Sequence, residues 1–272
     1  VSTTDFLNTD PFAAARAAAD YIAEETGVDS HDVALVLGSG WAEAADLIGE
    51  TTATLSAEEV PGFHAPAVVG HVGTIRSVLT REGKRALVLG ARTHYYEGKG
   101  VRAVVHGIRT AAAAGCRTLV LTNGCGGLNE NWAPGTPVLI SDHINLTAAS
   151  PLEGATFVDL TDLYSPRIRG IAREVDATLD EGIYVQFPGP HYETPAEVQY
   201  AKRIGADLVG MSTALEAIAG RHAGMEVFGI SLVTNLAAGI SPQPLSHEEV
   251  LESGQTAGPR ISKLLAGIIA RL

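Results

Sequence analysis

At 272 residues the chain has the size of one large α/β domain or two small ones, long enough to bury about three quarters of its unfolded surface. A formal net charge of −12 and a pI near 5.1 argue against binding nucleic acid polymers or an anionic membrane through surface charge, while a small anion can still bind in a locally positive pocket. Two cysteines, Cys116 and Cys125, are too few for a disulfide framework or a thiolate metal site and fit a reducing cytoplasm; the start, VSTTDFLNTD, lacks the basic and apolar stretches of a signal peptide, and no apolar run approaches the ~20 residues that span a bilayer.

Asp10 and Pro11 predict the start of an alanine-rich helix that runs to about Glu25 and ends at Gly27. Residues 33–37 form a short apolar run that reads as a buried strand, leading into Gly38-Ser39-Gly40, and residues 41–48 read as helical. A glycine turn between strand and helix presents N–H groups at the positive end of a helix dipole, and Ser39 adds a hydroxyl donor. GSGWAE lacks the third glycine of a dinucleotide fingerprint and the Gly-Lys-Ser/Thr of a P-loop, so a bare tight turn fits equally well. Residues 60–73 read as a mobile loop with two histidines, His64 and His71. Residues 74–80 and 85–90 predict a hairpin around Glu82-Gly83-Lys84. At its end Arg92 and His94, two residues apart, suit a phosphate with forked donors and charge; a surface salt bridge is the plainer reading.

Residues 101–114 predict one amphipathic helix closed by Gly115, then a strand at 118–122 and a loop, Asn123-Gly124-Cys125-Gly126-Gly127, whose three glycines suit close backbone approach to a ligand. Cys125 reads as a small apolar filler, since no base is paired with it. Residues 137–146 are strand-like; His143 and Asp142 are adjacent there and face opposite sides, which makes His143 structural. Residues 148–165 are irregular, with Phe157 their notable aromatic, and 166–179 predict a helix.

The stretch 184–235 holds three junctions suited to one ligand. A strand at 184–187 breaks at Pro188-Gly189-Pro190, and Thr194, Pro195 and Glu197 open a helix, which leaves Tyr192 and Glu193 just before it. A second strand-to-helix junction at 209–213 carries Met211 and Ser212, with Glu216 closing a capping box on Thr213. A third strand at 227–234 stops at Asn235. Carboxyl ends of strands in an α/β sheet line the ligand crevice, so Tyr192, Glu193, Met211, Ser212 and Asn235 are candidates for one pocket. Ser246-His247-Glu248-Glu249 then predicts a capping box on the last helix, which Pro259 should kink or divide. No HExxH pair or compact His/carboxylate cluster is present, so no metal is expected.

The ordered set GSG at 38–40, VPGF with GHVG, GARTHYYEG, TNGCGGLNE, SDHINLT, GPHYETPAE, GMST and SLVTN resembles the trimeric purine nucleoside phosphorylases, from about Leu35 to the C-terminal helix. The resemblance implies a single α/β domain, 1–272, around a central mixed, partly barrel-like sheet flanked by helices. It implies attack of inorganic phosphate on C1′ of a purine nucleoside through an oxocarbenium-like transition state, giving base and ribose 1-phosphate. Phosphate is then a co-substrate, no cofactor is needed, and the protein is a cytoplasmic homotrimer with sites near subunit interfaces. By the same resemblance Ser39, Arg92, His94, the Gly124 N–H, Ser212 and His71 match phosphate positions. Tyr192, Glu193 and Asn235 match purine positions; Tyr96, Met211 and His247 match ribose positions, with Phe157 from the neighbouring subunit. Glu193, Asn235 and His94 match the residues that act in catalysis. Trp41-Ala42-Glu43 stands where the family often continues Leu-Gly-Gly, and Gly124-Cys125 where two alanines are common.

Glu193 as a carboxylate accepts from N1–H, which hypoxanthine and guanine carry and adenine lacks, so 6-oxopurine nucleosides are expected over adenosine. Methylthioadenosine phosphorylases of the same family carry aspartate at the position of Asn235, which argues against that activity here. A hydrolytic nucleosidase and a non-catalytic purine-binding module are the alternatives.

Overall fold

The computed structural model describes residues 10–65, 73–240 and 247–272, the side chains of 247–250 excepted. Asp10 caps helix α1 (Pro11–Thr26) by accepting from the N–H groups of Phe12 and Ala13 at 2.9 and 3.0 Å, and Gly27, left-handed at φ 67°, closes it as expected. Strand β1 (Val33–Val36) is wholly buried. The helix expected at 41–48 shrinks to a 3-10 turn, Ala44–Leu47, because Gly40 leaves helical geometry at φ 82° and strand β2 (Gly49–Ser56) begins directly afterwards. Strand β2 carried no sequence signal: GETTATLS has no apolar run, and its mostly exposed residues pair with one neighbour only, at the sheet edge. The hairpin β3 (Thr74–Thr80) and β4 (Arg85–Leu89) forms as read, antiparallel.

The helix expected at 101–114 is two, α2 (Gly100–Val104) and α3 (His106–Ala113). They part at Val105 (φ −99°, ψ 5°), next to which His106 holds its ring on the Pro61 carbonyl at 2.8 Å. Strand β5 (Thr118–Gly127) does not stop at residue 122: the glycine segment stays in the sheet because β9 (Glu226–Leu236) pairs along its whole length, with a register shift between Cys125 and Gly126. Strand β6 (Pro137–Asn145) follows, then α4 (Pro166–Val175). This helix ends before the expected residue 179, since Asp176 turns extended (φ −141°) and its carboxylate accepts from Thr178. Strand β7 (Asp180–Gln186), helix α5 (Pro195–Arg203), strand β8 (Leu208–Gly210) and helix α6 (Ala214–His222) complete the middle of the chain. Helix α7 (His247–Ile269) runs undivided through Pro259, so of a kink or a division the division does not occur; Ile261, Leu264, Leu265 and Ile268 bury its face and outweigh the one lost backbone bond. The expected capping box at 246–249 lies outside the described residues and side chains.

The sheet order is β2-β3-β4-β1-β5-β8-β7-β6-β9, and β9 also pairs with β5. That second pairing closes β5, β8, β7, β6 and β9 into a five-stranded ring, from which β1, β4, β3 and β2 extend as an open wing. Parallel pairs (β1 with β4 and β5, β5 with β9, β6 with β7, β7 with β8) and antiparallel ones mix, which gives the partly barrel-like α/β architecture expected. Helices α1 and α3 cover one apolar face and α7 the other. Among the described residues no helix is long and apolar enough to cross a membrane.

Candidate active site

A cavity of about 380 Å3 opens where β5, β8 and β9 end and the segments after β4 and β7 meet. Ser39, Arg92, His94, Tyr96, Gly124, Tyr192, Glu193, Met211, Ser212 and Asn235 all line it, so ten of the residues singled out in the sequence, drawn from six separate segments, converge on one site.

Arg92 is 3% exposed. Its Nε donates to Glu216 Oε1 at 3.0 Å and its Nη1 to the Thr122 carbonyl at 2.7 Å, which leaves Nη2 buried with no partner among the described residues. The salt bridge anticipated as a surface feature is therefore a buried one, and it holds the guanidinium in a fixed plane with one nitrogen to give. Gly38 makes that approach possible, since a Cβ there would sit 2.6 Å from Arg92 Nη1. His94 is fixed by Glu97, whose Oε1 accepts the His94 N–H at 2.7 Å and lies 3.4 Å from its Nδ1, and by the Tyr96 ring stacked on it at 4.9 Å. Burial opposes ionisation of Glu97, but the His94 and Lys99 donors outweigh it and hold the carboxyl at about 2.

Ser212 precedes a turn that is tied on three sides. Thr213 sits at φ 82°, a conformation a threonine rarely adopts, and its N–H donates to Glu216 Oε2 at 2.9 Å. Asn123 Nδ2 donates to Thr213 Oγ1 at 2.9 Å, and the Ser212 N–H reaches the buried Tyr184 hydroxyl at 3.3 Å. The sequence marked Glu216 only as a capping residue; in the fold its two oxygens join Arg92 to the Ser212-Thr213 turn. Its position three residues after Thr213 was the legible half, and its partner 124 residues away was not.

Glu193 is 8% exposed with Oε1 buried and without a hydrogen-bond partner among the described residues, and burial raises its pKa above the ordinary carboxylate value, more than its own backbone N–H offsets. Asn235 lies inside β9 rather than past its end, since the strand continues to Leu236. Its Nδ2 donates to the Leu236 carbonyl at 3.2 Å, and its Oδ1 accepts from Thr234 Oγ1 at 2.9 Å. A carbonyl only accepts, so the amide orientation follows, and Nδ2 keeps a second hydrogen for a ligand. Asn123 and Thr234 also line the cavity and were not singled out as site residues; both neighbour ones that were, Gly124 and Asn235.

Phe157 is 93% exposed and does not line the cavity of its own chain. His71 and the side chain of His247 lie outside the described residues. Cys125 lines the wall, but burial pushes its thiol up to about 12, so it stands as a neutral filler, as read. His143 is bonded through Nδ1 to the Tyr164 hydroxyl at 2.9 Å and takes no part in the cavity, as its structural reading requires.

Residues 32–270 match the model of the phosphorylase superfamily. A purine nucleoside phosphorylase of Cellulomonas sp. is 69% identical over 267 residues, covering 97% of this chain and 95% of the relative. That of Mycobacterium tuberculosis is 56% identical over 262 residues, 96% of this chain and 97% of the relative. Among solved structures, Schistosoma mansoni purine nucleoside phosphorylase in complex with inosine superposes with a TM-score of 0.86 at 31% identity over 96% of each chain. Isoform 2 from the same organism, in complex with cytosine and ribose-1-phosphate, superposes at 0.85 and 30% identity, again over 96% of each chain. The chain belongs to the phosphorylase superfamily and, within it, to the purine nucleoside phosphorylases.

Proposed function

We propose that the chain catalyses reversible phosphorolysis of the 6-oxopurine nucleosides inosine and guanosine, and their 2′-deoxy forms, to free base and ribose 1-phosphate. One observation carries the reading: a single cavity holds a buried guanidinium with an unused donor, Arg92 Nη2, and a buried carboxylate with an unused acceptor, Glu193 Oε1. Groups of that kind are costly unless a ligand completes them, here an anion and a heterocycle bearing N–H. The inosine and ribose-1-phosphate bound by the Schistosoma mansoni relatives are molecules of these kinds.

Ser39, Arg92, His94, the Gly124 N–H and Ser212 hold phosphate beneath C1′, with His71 beside it. As the C–N bond breaks, positive charge grows on the sugar and negative charge on the base. Phosphate serves as nucleophile and counter-charge, and two unit charges ~4 Å apart attract by about 4 kcal/mol at an effective dielectric of ~20. Asn235 Nδ2 donates to N7 of the departing base, Glu193 accepts from N1–H, and Tyr192 covers the ring face. Tyr96, Met211, His247 and a neighbouring subunit's Phe157 hold the ribose. Residues 1–272 act as one catalytic domain of a cytoplasmic homotrimer.

The test is kcat/KM for inosine, guanosine and adenosine at saturating phosphate. A site built to bond N1–H rejects adenosine by several orders of magnitude, roughly 10^4. Equal turnover of adenosine would remove Glu193 from the base, release without phosphate would favour a nucleosidase, and no turnover would favour a binding module.

A further inference from the structure

Trp41 stands in GSGWAE where the family often has leucine, does not line the cavity, and takes no part in the proposed reaction. It is nevertheless 0% exposed, in the core cluster that includes Leu37, Leu232, Ile261 and Leu265. A buried indole carries one donor and no acceptor, so its N–H must find an oxygen. It finds the carbonyl of Asn123, at 2.9 Å and 82 residues along the chain.

That carbonyl and the N–H of Gly124 belong to one planar peptide group, in which a trans bond turns them in opposite directions. Fixing the oxygen therefore fixes the plane and the direction of the Gly124 N–H on its far side. A hydrogen bond to the carbonyl also polarises the group and makes that N–H a better donor. The peptide lies in β5, which is paired with β9 through Asn123 and Gly124, and it is packed against the Ser39 turn: a Cβ at Gly124 would lie 3.0 Å from the Ser39 carbonyl oxygen. Ser39 and Trp41 leave the same turn, which is itself fastened to β5 where the Gly38 N–H donates to Thr122 Oγ1 at 2.9 Å.

We propose that Trp41 is a positioning residue for phosphate: from the turn that presents Ser39, its indole N–H orients the Asn123–Gly124 peptide so that both donors address one anion. The proposal rests on the assignment of Ser39 and Gly124 to phosphate. A core filler alone would require only an aromatic ring, which phenylalanine supplies.

Trp41→Phe tests it, with Trp132→Phe as the control, because the Trp132 indole also makes a buried-side bond, to Asp180 Oδ2 at 2.9 Å, but outside the cavity. Loss of one such bond corresponds to about a tenfold rise in the KM for phosphate in Trp41→Phe, with the KM for inosine within about twofold of the parent and both phosphate and inosine KM unchanged in Trp132→Phe. A phosphate KM within about twofold of the parent, or an equal rise in both KM values, would overturn it. If Trp41→Phe does not fold, 3-benzothienylalanine at position 41, which keeps the ring shape and replaces N–H by sulfur, carries the same prediction. A parent enzyme that turns over inosine without phosphate would overturn the underlying assignment as well, and this is seen before any variant is made.

Discussion

At the scale of single residues, the site works through groups that the fold leaves incomplete. Glu193 is the clearest. Its folded pKa lies above the unfolded value, so the protonated form is the one folding favours; the resulting penalty is absent below the ordinary carboxylate range and grows as pH rises through the folded pKa. Glu193→Gln is accordingly expected to raise the melting temperature of the ligand-free protein at neutral pH, with the gain vanishing at pH below the ordinary carboxylate value. With Glu193 on the base as proposed, the same change removes a charged hydrogen bond worth ~1.5 to 3 kcal/mol, so kcat/KM for inosine is expected to fall about tenfold or more. Stability and activity moving together, rather than in opposite directions, would count against this role. Asn235→Asp places an acceptor where Nδ2 donates and sets a carboxylate beside the departing anion. It should lower turnover of inosine and raise adenosine relative to it, and equal losses on both would contradict the base assignment.

At the level of elements, the C-terminal helix fastens the turn that carries Ser39 to strand β9. Ser253 on α7 donates to the Thr234 carbonyl at 2.8 Å, and Gly254 lies so close to Gly40 that a Cβ would overlap its backbone. Gly254→Ala should therefore cost about 1 to 3 kcal/mol in denaturant unfolding and weaken phosphate binding, since the backbone at Gly40 has to move. An unaltered unfolding midpoint would show that the contact has slack. This junction also marks where the sequence stops being informative. Local grammar was readable: Thr194-Pro195-Glu197 forms its capping box, with both bonds at 2.7 and 3.2 Å, and the 74–90 hairpin forms as written. The continuation of β5 through its glycines was not, because it depends on β9 lying alongside, a partner more than a hundred residues distant. Strand β2 was invisible for a related reason: an edge strand with exposed residues leaves no apolar pattern. Arg92, Glu193 and Asn235 were found as strand-end polar groups, whereas the link through Glu216 and the anchor at Trp41 exist only in three dimensions.

For the molecule as a whole, closure of β5, β8, β7, β6 and β9 into a ring beside the ends of β1 and β4 brings six chain segments to one cavity, while Phe157 stands 93% exposed away from it. Such an aromatic, placed on a neighbour's ribose, requires an oligomer. Sedimentation at equilibrium should give the mass of three 28.3 kDa chains, and a lone active chain of that mass would remove Phe157 from the site. In the proposed reaction phosphate itself is the attacking nucleophile, held in the Arg92 cavity. The direct test is inosine incubated with and without added phosphate, with ribose 1-phosphate followed by phosphorus NMR and hypoxanthine by absorbance: one ribose 1-phosphate is expected for each hypoxanthine formed, and no hypoxanthine without phosphate. Hypoxanthine accompanied by free ribose, at a rate indifferent to phosphate, would contradict it.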